Sequence, residues 1–181
     1  MLSACGESPA LDTCALPDCA ASEACRDWGE CAVVDCRCAA TTEAACAASG
    51  VCAAYGMCAL GTDRACVAGS TADCAAADHC RKDGFCTEQG GDCLALKASD
   101  CTDALICQWI GRCTPVDGGC EAASDSDCAL SEICDYQGQC TAQAGHCVAR
   151  DDADCQSSDA CKEEDLCLEK DGQCVPEDPG S

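Results

Sequence analysis

A chain of 181 residues with 27 cysteines and only five aromatic side chains, Trp28, Tyr55, Phe85, Trp109 and Tyr136, cannot bury an ordinary apolar core. Its net charge of −23 repels nucleic acid and anionic membrane surfaces and excludes both as direct partners. The hydrophobic fraction of 48% is largely alanine and cysteine, so crosslinks must offset the backbone entropy lost on ordering, and that many thiols imply an oxidising, extracytoplasmic setting: cell surface, periplasm or medium.

The first thirteen residues form a tether outside any repeat. They contain Leu2-Ser3-Ala4-Cys5-Gly6, which resembles the bacterial lipobox and implies that Cys5 is lipidated. The apolar segment that should precede such a box is absent, which implies a start trimmed near the processing site. A free or intermolecularly paired Cys5 is the alternative.

From there a period of 27 residues, with one step of 28, governs the chain: Cys38, Cys66, Cys93, Cys120, Cys147 and Cys174 are equivalent. Module one spans 14–38 (Cys19, Cys25, Cys31, Cys38), with an added Cys14–Cys36 staple. Module two spans 39–66 (Cys46, Cys52, Cys58, Cys66), its last gap longer by one residue. Modules three to six span 67–93 (Cys74, Cys80, Cys86, Cys93), 94–120 (Cys101, Cys107, Cys113, Cys120), 121–147 (Cys128, Cys134, Cys140, Cys147) and 148–174 (Cys155, Cys161, Cys167, Cys174), and 175–181 is a tail. Parity supports this division. Setting Cys5 aside, six modules of four plus the extra pair give thirteen bridges, whereas linking each module to the next would strand Cys174. Three connectivities remain open within a module; first-to-third with second-to-fourth is preferred because crossed bridges lock a short chain most firmly.

Asp precedes the first cysteine at Asp18, Asp73, Asp100, Asp127 and Asp154, and the small residues that follow predict one or two helical turns with that Asp as N-cap. Gly stands two residues before the third cysteine at Gly29, Gly56, Gly84, Gly111 and Gly138, and two before the fourth at Gly91, Gly118, Gly145 and Gly172, predicting turns with positive φ; module six has Asp165 at the first of these places. Residues 121–127 and 148–154 read as connectors. Trypsin without reductant is therefore expected to cut at Lys97 and Arg150, releasing a fragment that begins at Asp151, while cuts after Arg112 or Lys162 stay covalently held. The expected fold is small and disulfide-rich, an elongated, superhelical, solenoid-like tandem array with short helical turns and little sheet.

Chemistry is sparse. His79 and His146 each neighbour a bridged cysteine and read as surface residues, since a Cys–His nucleophile needs a free thiol. Cys36-Arg37-Cys38 is the one close thiol pair, too little for a metal-thiolate cluster and, with both sulfurs assigned to bridges, not a redox pair. Asp125 with Asp127, and Asp151, Asp152 and Asp154, lack the spacing of a hand-type Ca²⁺ loop, and Glu163, Glu164 and Asp165 read as an exposed loop. No catalytic residue, metal or cofactor is called for. The aromatic residues all lie between the second and third cysteines at unequal offsets, which favours packing on the bridges over a flat binding stripe for glycan or protein.

The phrase Ser126-Asp127-Cys128-Ala129-Leu130-Ser131-Glu132-Ile133-Cys134, followed by Gly138-Gln139-Cys140, resembles the cysteine-rich tandem repeats of myxobacterial-type lipoproteins and, more loosely, the Dickkopf N-terminal and EB-type modules of animal secreted proteins. The resemblance implies a surface or secreted, non-enzymatic role: a lipid-anchored spacer, coat component or adhesin with an unidentified protein or glycan partner, open to self-association. A secreted binding module is the alternative, such as a protease inhibitor presenting Arg81 or Arg112 in a bridged loop.

Overall fold

A computed structural model of the protein describes residues 18–177. Cys5, Cys14 and the last four residues lie outside the described residues. Each module runs through two short helices and a β-hairpin. Module one begins with a 3₁₀ turn, Cys19–Ala21, followed by α1 (Glu23–Trp28), β1 (Ala32–Val34) and β2 (Arg37–Ala39). Modules two and three contribute α2 (Glu43–Ala47), α3 (Gly50–Tyr55), β3 (Ala59–Leu60), β4 (Cys66–Val67), then α4 (Thr71–Ala76), α5 (Asp78–Asp83), β5 (Thr87–Gln89) and β6 (Asp92–Leu94). Module four has α6 (Ala98–Thr102), α7 (Leu105–Ile110), β7 (Thr114–Val116) and β8 (Gly119–Glu121), and module five α8 (Asp125–Ala129), α9 (Glu132–Gln137), β9 (Thr141–Gln143) and β10 (His146–Val148). Module six closes with α10 (Asp152–Ser157), α11 (Asp159–Glu164), β11 (Leu168–Lys170) and β12 (Gln173–Val175). Six antiparallel hairpins are more sheet than the sequence suggested. In five of them the reason is the two-residue turn, as at Asp117-Gly118, where φ of 48° and 86° gives the left-handed pair that matches strand twist, while in module two residues 61–65 form a longer loop.

Helices of five or six residues do not persist alone in water. Two bridges hold each pair, and they are nested: the first cysteine joins the fourth, as in Cys101–Cys120, and the second joins the third, as in Cys107–Cys113. The preferred crossed scheme is thereby corrected. The second helix ends on a left-handed residue that turns the chain back, bringing Cys113 to a Cα separation of 4.5 Å from Cys107, while the hairpin returns Cys120 to 5.6 Å from Cys101. Cys36 is also disulfide-bonded; its assigned partner, Cys14, lies outside the described residues. Cys46, Cys74, Cys101, Cys128 and Cys155 are wholly buried, joined by Ala40, Ala68, Ala95, Ala122 and Ala149, so the interior is sulfur and alanine.

The Asp before the first cysteine is not the N-cap. In modules three to six it is the third residue of the first helix; Asp73 accepts from the Ser70 hydroxyl at 2.7 Å, and in modules four to six the Asp reaches back to amides ahead of the helix. Asp127 Oδ2 accepts from the Ala123 and Ser124 amides at 2.9 and 3.3 Å, and Asp100 Oδ2 accepts from Leu96 and Lys97 at 3.0 and 3.1 Å. The capping position falls to Thr42, Ser70, Ser124 and Asp151. Asp18 does flank the 3₁₀ turn but makes no side-chain cap bond.

The second helix is capped by serine in four modules. Ser22, Ser49 and Ser158 accept from the second-cysteine amide, and each, like Ser131, donates back to the first-cysteine carbonyl, Ser131 at 2.6 Å. Modules three and four place Ala77 and Ala104 there with the same extended backbone, φ −77° and −84°. Ala104→Ser is therefore expected to raise stability by about 1 kcal/mol, and Ser158→Ala to lower it by about as much, in urea unfolding under non-reducing conditions. A loss on Ala104→Ser would contradict the capping role.

Residues 121–127 and 148–154 are not free connectors. Glu121 ends β8, Ala122 bridges to Gly145, and α8 starts at Asp125; Val148 ends β10 and α10 starts at Asp152. With each hairpin counted whole, through the residue two after its fourth cysteine, neighbouring modules are instead tied at three recurring places. The buried alanine two residues after the fourth cysteine donates to the next hairpin turn: Ala40 to Arg64, Ala68 to Gly91, Ala95 to Gly118, Ala122 to Gly145 and Ala149 to Gly172, at 2.8–3.1 Å. The helix-ending glycine packs on the next module, a Cβ at Gly84 lying 2.6 Å from Cys120 Sγ and one at Gly111 2.5 Å from Cys147 Sγ. Finally, Thr87, Thr114 and Thr141 donate to Asp100, Asp127 and Asp154 of the following module at 2.8, 2.9 and 3.5 Å.

Candidate binding groove

Every cysteine among the described residues is bonded, including both sulfurs of Cys36-Arg37-Cys38, so this part of the chain offers no thiol for catalysis. No group of three His, Cys, Asp or Glu side chains among the described residues converges as metal ligands would. The acidic clusters serve the backbone. Asp125 Oδ1 accepts from the Ala142 amide at 2.9 Å and Asp152 Oδ1 from the Glu169 amide at 2.8 Å, each tying a helix start to its own hairpin, and Asp151 caps α10 through the Ala153 and Asp154 amides. Thr71 Oγ1 fills the same place for Glu88, at 3.3 Å. These uses were not anticipated, although the recurrence of a short acceptor at the first helical residue signals them.

The most differentiated surface lies across modules two to five. The α3 helix carries Tyr55 to its last residue, and α5 carries His79 toward it from the next module. The two rings meet edge to face with centroids 4.4 Å apart, and His79 stacks on Phe85 at 5.2 Å and 24°. Asp83, one helical turn on, stands 3.5 Å from His79 Nε2. A cleft of about 230 Å³ opens beside the rings, with Met57 and Leu94 in its wall. A second hollow of about 470 Å³ shares His79 and Phe85 with the first and is walled by Ile106, Arg112, Glu121 and His146. There Arg112 Nη2 donates to His146 Nδ1 at 2.6 Å; guanidinium has no acceptor, so Nδ1 carries the lone pair and Nε2 the proton.

Of the five aromatic residues, Tyr55 and Phe85 thus come together, through a histidine that the sequence reading left on the surface by itself. Trp28 and Trp109 stay 58% and 50% exposed. Tyr136 belongs to a separate cleft of about 280 Å³ shared with Ala160, Leu166 and Gln173 of module six. Its hydroxyl donates to Glu164 Oε1 at 2.7 Å, and this bond, with the carboxylate's charge, holds the phenol above its ordinary value of 10.0. Glu163 and Asp165 are exposed, as read, while Glu164 has this defined partner and Asp165 ends α11. Because the folded phenol titrates higher than the unfolded one, the contact contributes stability below about pH 10 that is lost as pH rises through the folded value. Glu164→Gln is expected to lower the Tyr136 midpoint in a tyrosinate absorbance titration; an unchanged midpoint would show that the contact does not form.

Comparison with known protein families, curated proteins and solved structures returns no match. No helix among the described residues is long and apolar enough to cross a membrane.

Proposed function

We propose that the chain is a non-enzymatic, extracytoplasmic scaffold: an elongated, superhelical, acidic array anchored through a lipid on Cys5 and acting as a surface spacer, coat component or adhesin. The observation that carries this reading is the build of the junctions. Backbone bonds and sulfur–glycine contacts recur from module to module, so stiffness is inherent in the repeat and does not depend on any one surface side chain. The abundance of disulfides supports an oxidising setting. The Tyr55–His79–Phe85 cleft and the Arg112–His146 hollow beside it provide the face for a protein or glycan partner, since rings beside hydrogen-bonding groups suit either.

The test is twofold. Small-angle scattering of the oxidised chain is expected to give a single stiff particle, and the native precursor to show globomycin-sensitive processing with a lipid mass on Cys5. A flexible string of modules, or an unmodified Cys5 in membrane-free material, would overturn the spacer and the anchor respectively. The inhibitor alternative draws no support from geometry. Arg81 sits inside α5, ion-paired to Asp78 at 3.2 Å, and Arg112 is turned to His146, whereas a protease requires an extended, available side chain.

A further inference from the structure

Each junction is made by residues of the earlier module that must satisfy strict conditions. The helix-ending residue must have no Cβ, because the next first-to-fourth bridge, or at Gly138 the Asp154 carbonyl oxygen just before it, lies within 2.5–2.8 Å of where one would stand in all five cases. The residue two after the fourth cysteine must have an N–H, because the carbonyl of the next turn accepts from it. Module six meets neither condition. Its helix α11 ends on Asp165, left-handed at φ 60° and exposed where the five glycines are buried, and Pro176 stands where the five alanines donate. At the opposite end, the turn residue that accepts in modules two to six is, in module one, Cys36, whose sulfur is disulfide-bonded.

We propose that modules one and six are end caps, whose outward faces refuse a further module of this kind and so prevent identical chains from stacking end to end into filaments. A module docked on module six would press a carboxylate against its buried sulfur and leave its turn carbonyl without a donor, both of them penalties of burying polar groups unpaired. Repeat arrays with unmodified ends offer a sticky half-interface at each terminus, which heterologous contact propagates into fibres. The inference concerns the two outward faces whatever chain lies beyond them, and it stands apart from the ligand and anchor proposed above.

An extended chain tests it: residues 1–176 followed by a second copy of 150–177, made with and without the pair Asp165→Gly and Pro176→Ala. Intact mass confirms that the added bridges form. Trypsin cleavage after the added copy of Arg150 is compared with cleavage at the native Arg150 junction, each normalised to the same bond in reduced, unfolded chain. With Asp165 and Pro176 retained, the added junction is expected to be cut about tenfold faster than the native one, and the double substitution to slow it to the native rate. Equal protection in both chains, or no slowing by the double substitution, would overturn the assignment. So would sedimentation of the unmodified chain as concentration-dependent end-to-end multimers, where a monomer at every concentration is expected.

Discussion

Replacing Cys101 and Cys120 together by alanine is expected to cost about 3 kcal/mol through the loop-closure entropy of a nineteen-residue separation, against about 2 kcal/mol for Cys107 and Cys113, whose separation is six. Packing widens the difference. Cys101 is wholly buried with Cys120 and Ala95 at its side and Ile106 against them, whereas Cys107 and Cys113 are only half-buried. Removing the Cys101–Cys120 pair therefore opens a hole in the smallest of cores as well as a loop. The loss also crosses a module boundary, because Cys120 Sγ is the surface on which Gly84 of module three rests. Urea unfolding of the two double variants, with intact mass to confirm the remaining bridges, measures the contrast. If the short-loop pair proved the costlier to remove, the long bridges would not be the centre of each module.

The period and the left-handed glycines were legible because each follows from counting. The first three cysteines keep one spacing in all six modules and glycine stands two residues before the third in five of them, which leaves little freedom in where the chain turns, and all five of those glycines have positive φ. Connectivity was not legible, since spacing gives loop lengths but not which sulfurs a helix end and a hairpin bring together. A signal was nevertheless present: a helix stopped by left-handed glycine reverses at once, and a reversal between Cys107 and Cys113 brings those two into reach. The role of Asp failed for a different reason. Asp100, Asp127 and Asp154 hold amides within their own module and a threonine hydroxyl from the module before, so the residue is selected by a junction that no single repeat contains. The ring cluster was hidden likewise, because Tyr55 and His79 belong to different modules and meet only when α3 and α5 stack.

Gly84 and Gly90 separate backbone strain from interlocking. Both are left-handed, with φ of 84° and 68°, so alanine at either pays roughly 1–2 kcal/mol for that conformation. Around Gly90 a new Cβ meets nothing within 4 Å, while at Gly84 it would stand 2.6 Å from Cys120 Sγ and 2.7 Å from the Asp100 carbonyl oxygen. Neither neighbour is the loose end of a side chain: one is half of a disulfide and the other is backbone at the centre of α6. Relief requires modules three and four to move apart, which strains the Ala95 to Gly118 bond of 2.9 Å and adds roughly 1–3 kcal/mol of overpacking. Gly84→Ala is thus expected to destabilise by about 3 kcal/mol or more and Gly90→Ala by about 1 kcal/mol. Hydrogen exchange locates the difference. The Ala95 amide should lose protection in the Gly84 variant and keep it in the Gly90 variant, while the Cys101–Cys120 bridge forms in both. Equal losses at the two sites would mean that the helix-ending glycines serve only their own helices, and that the modules are strung together without being locked.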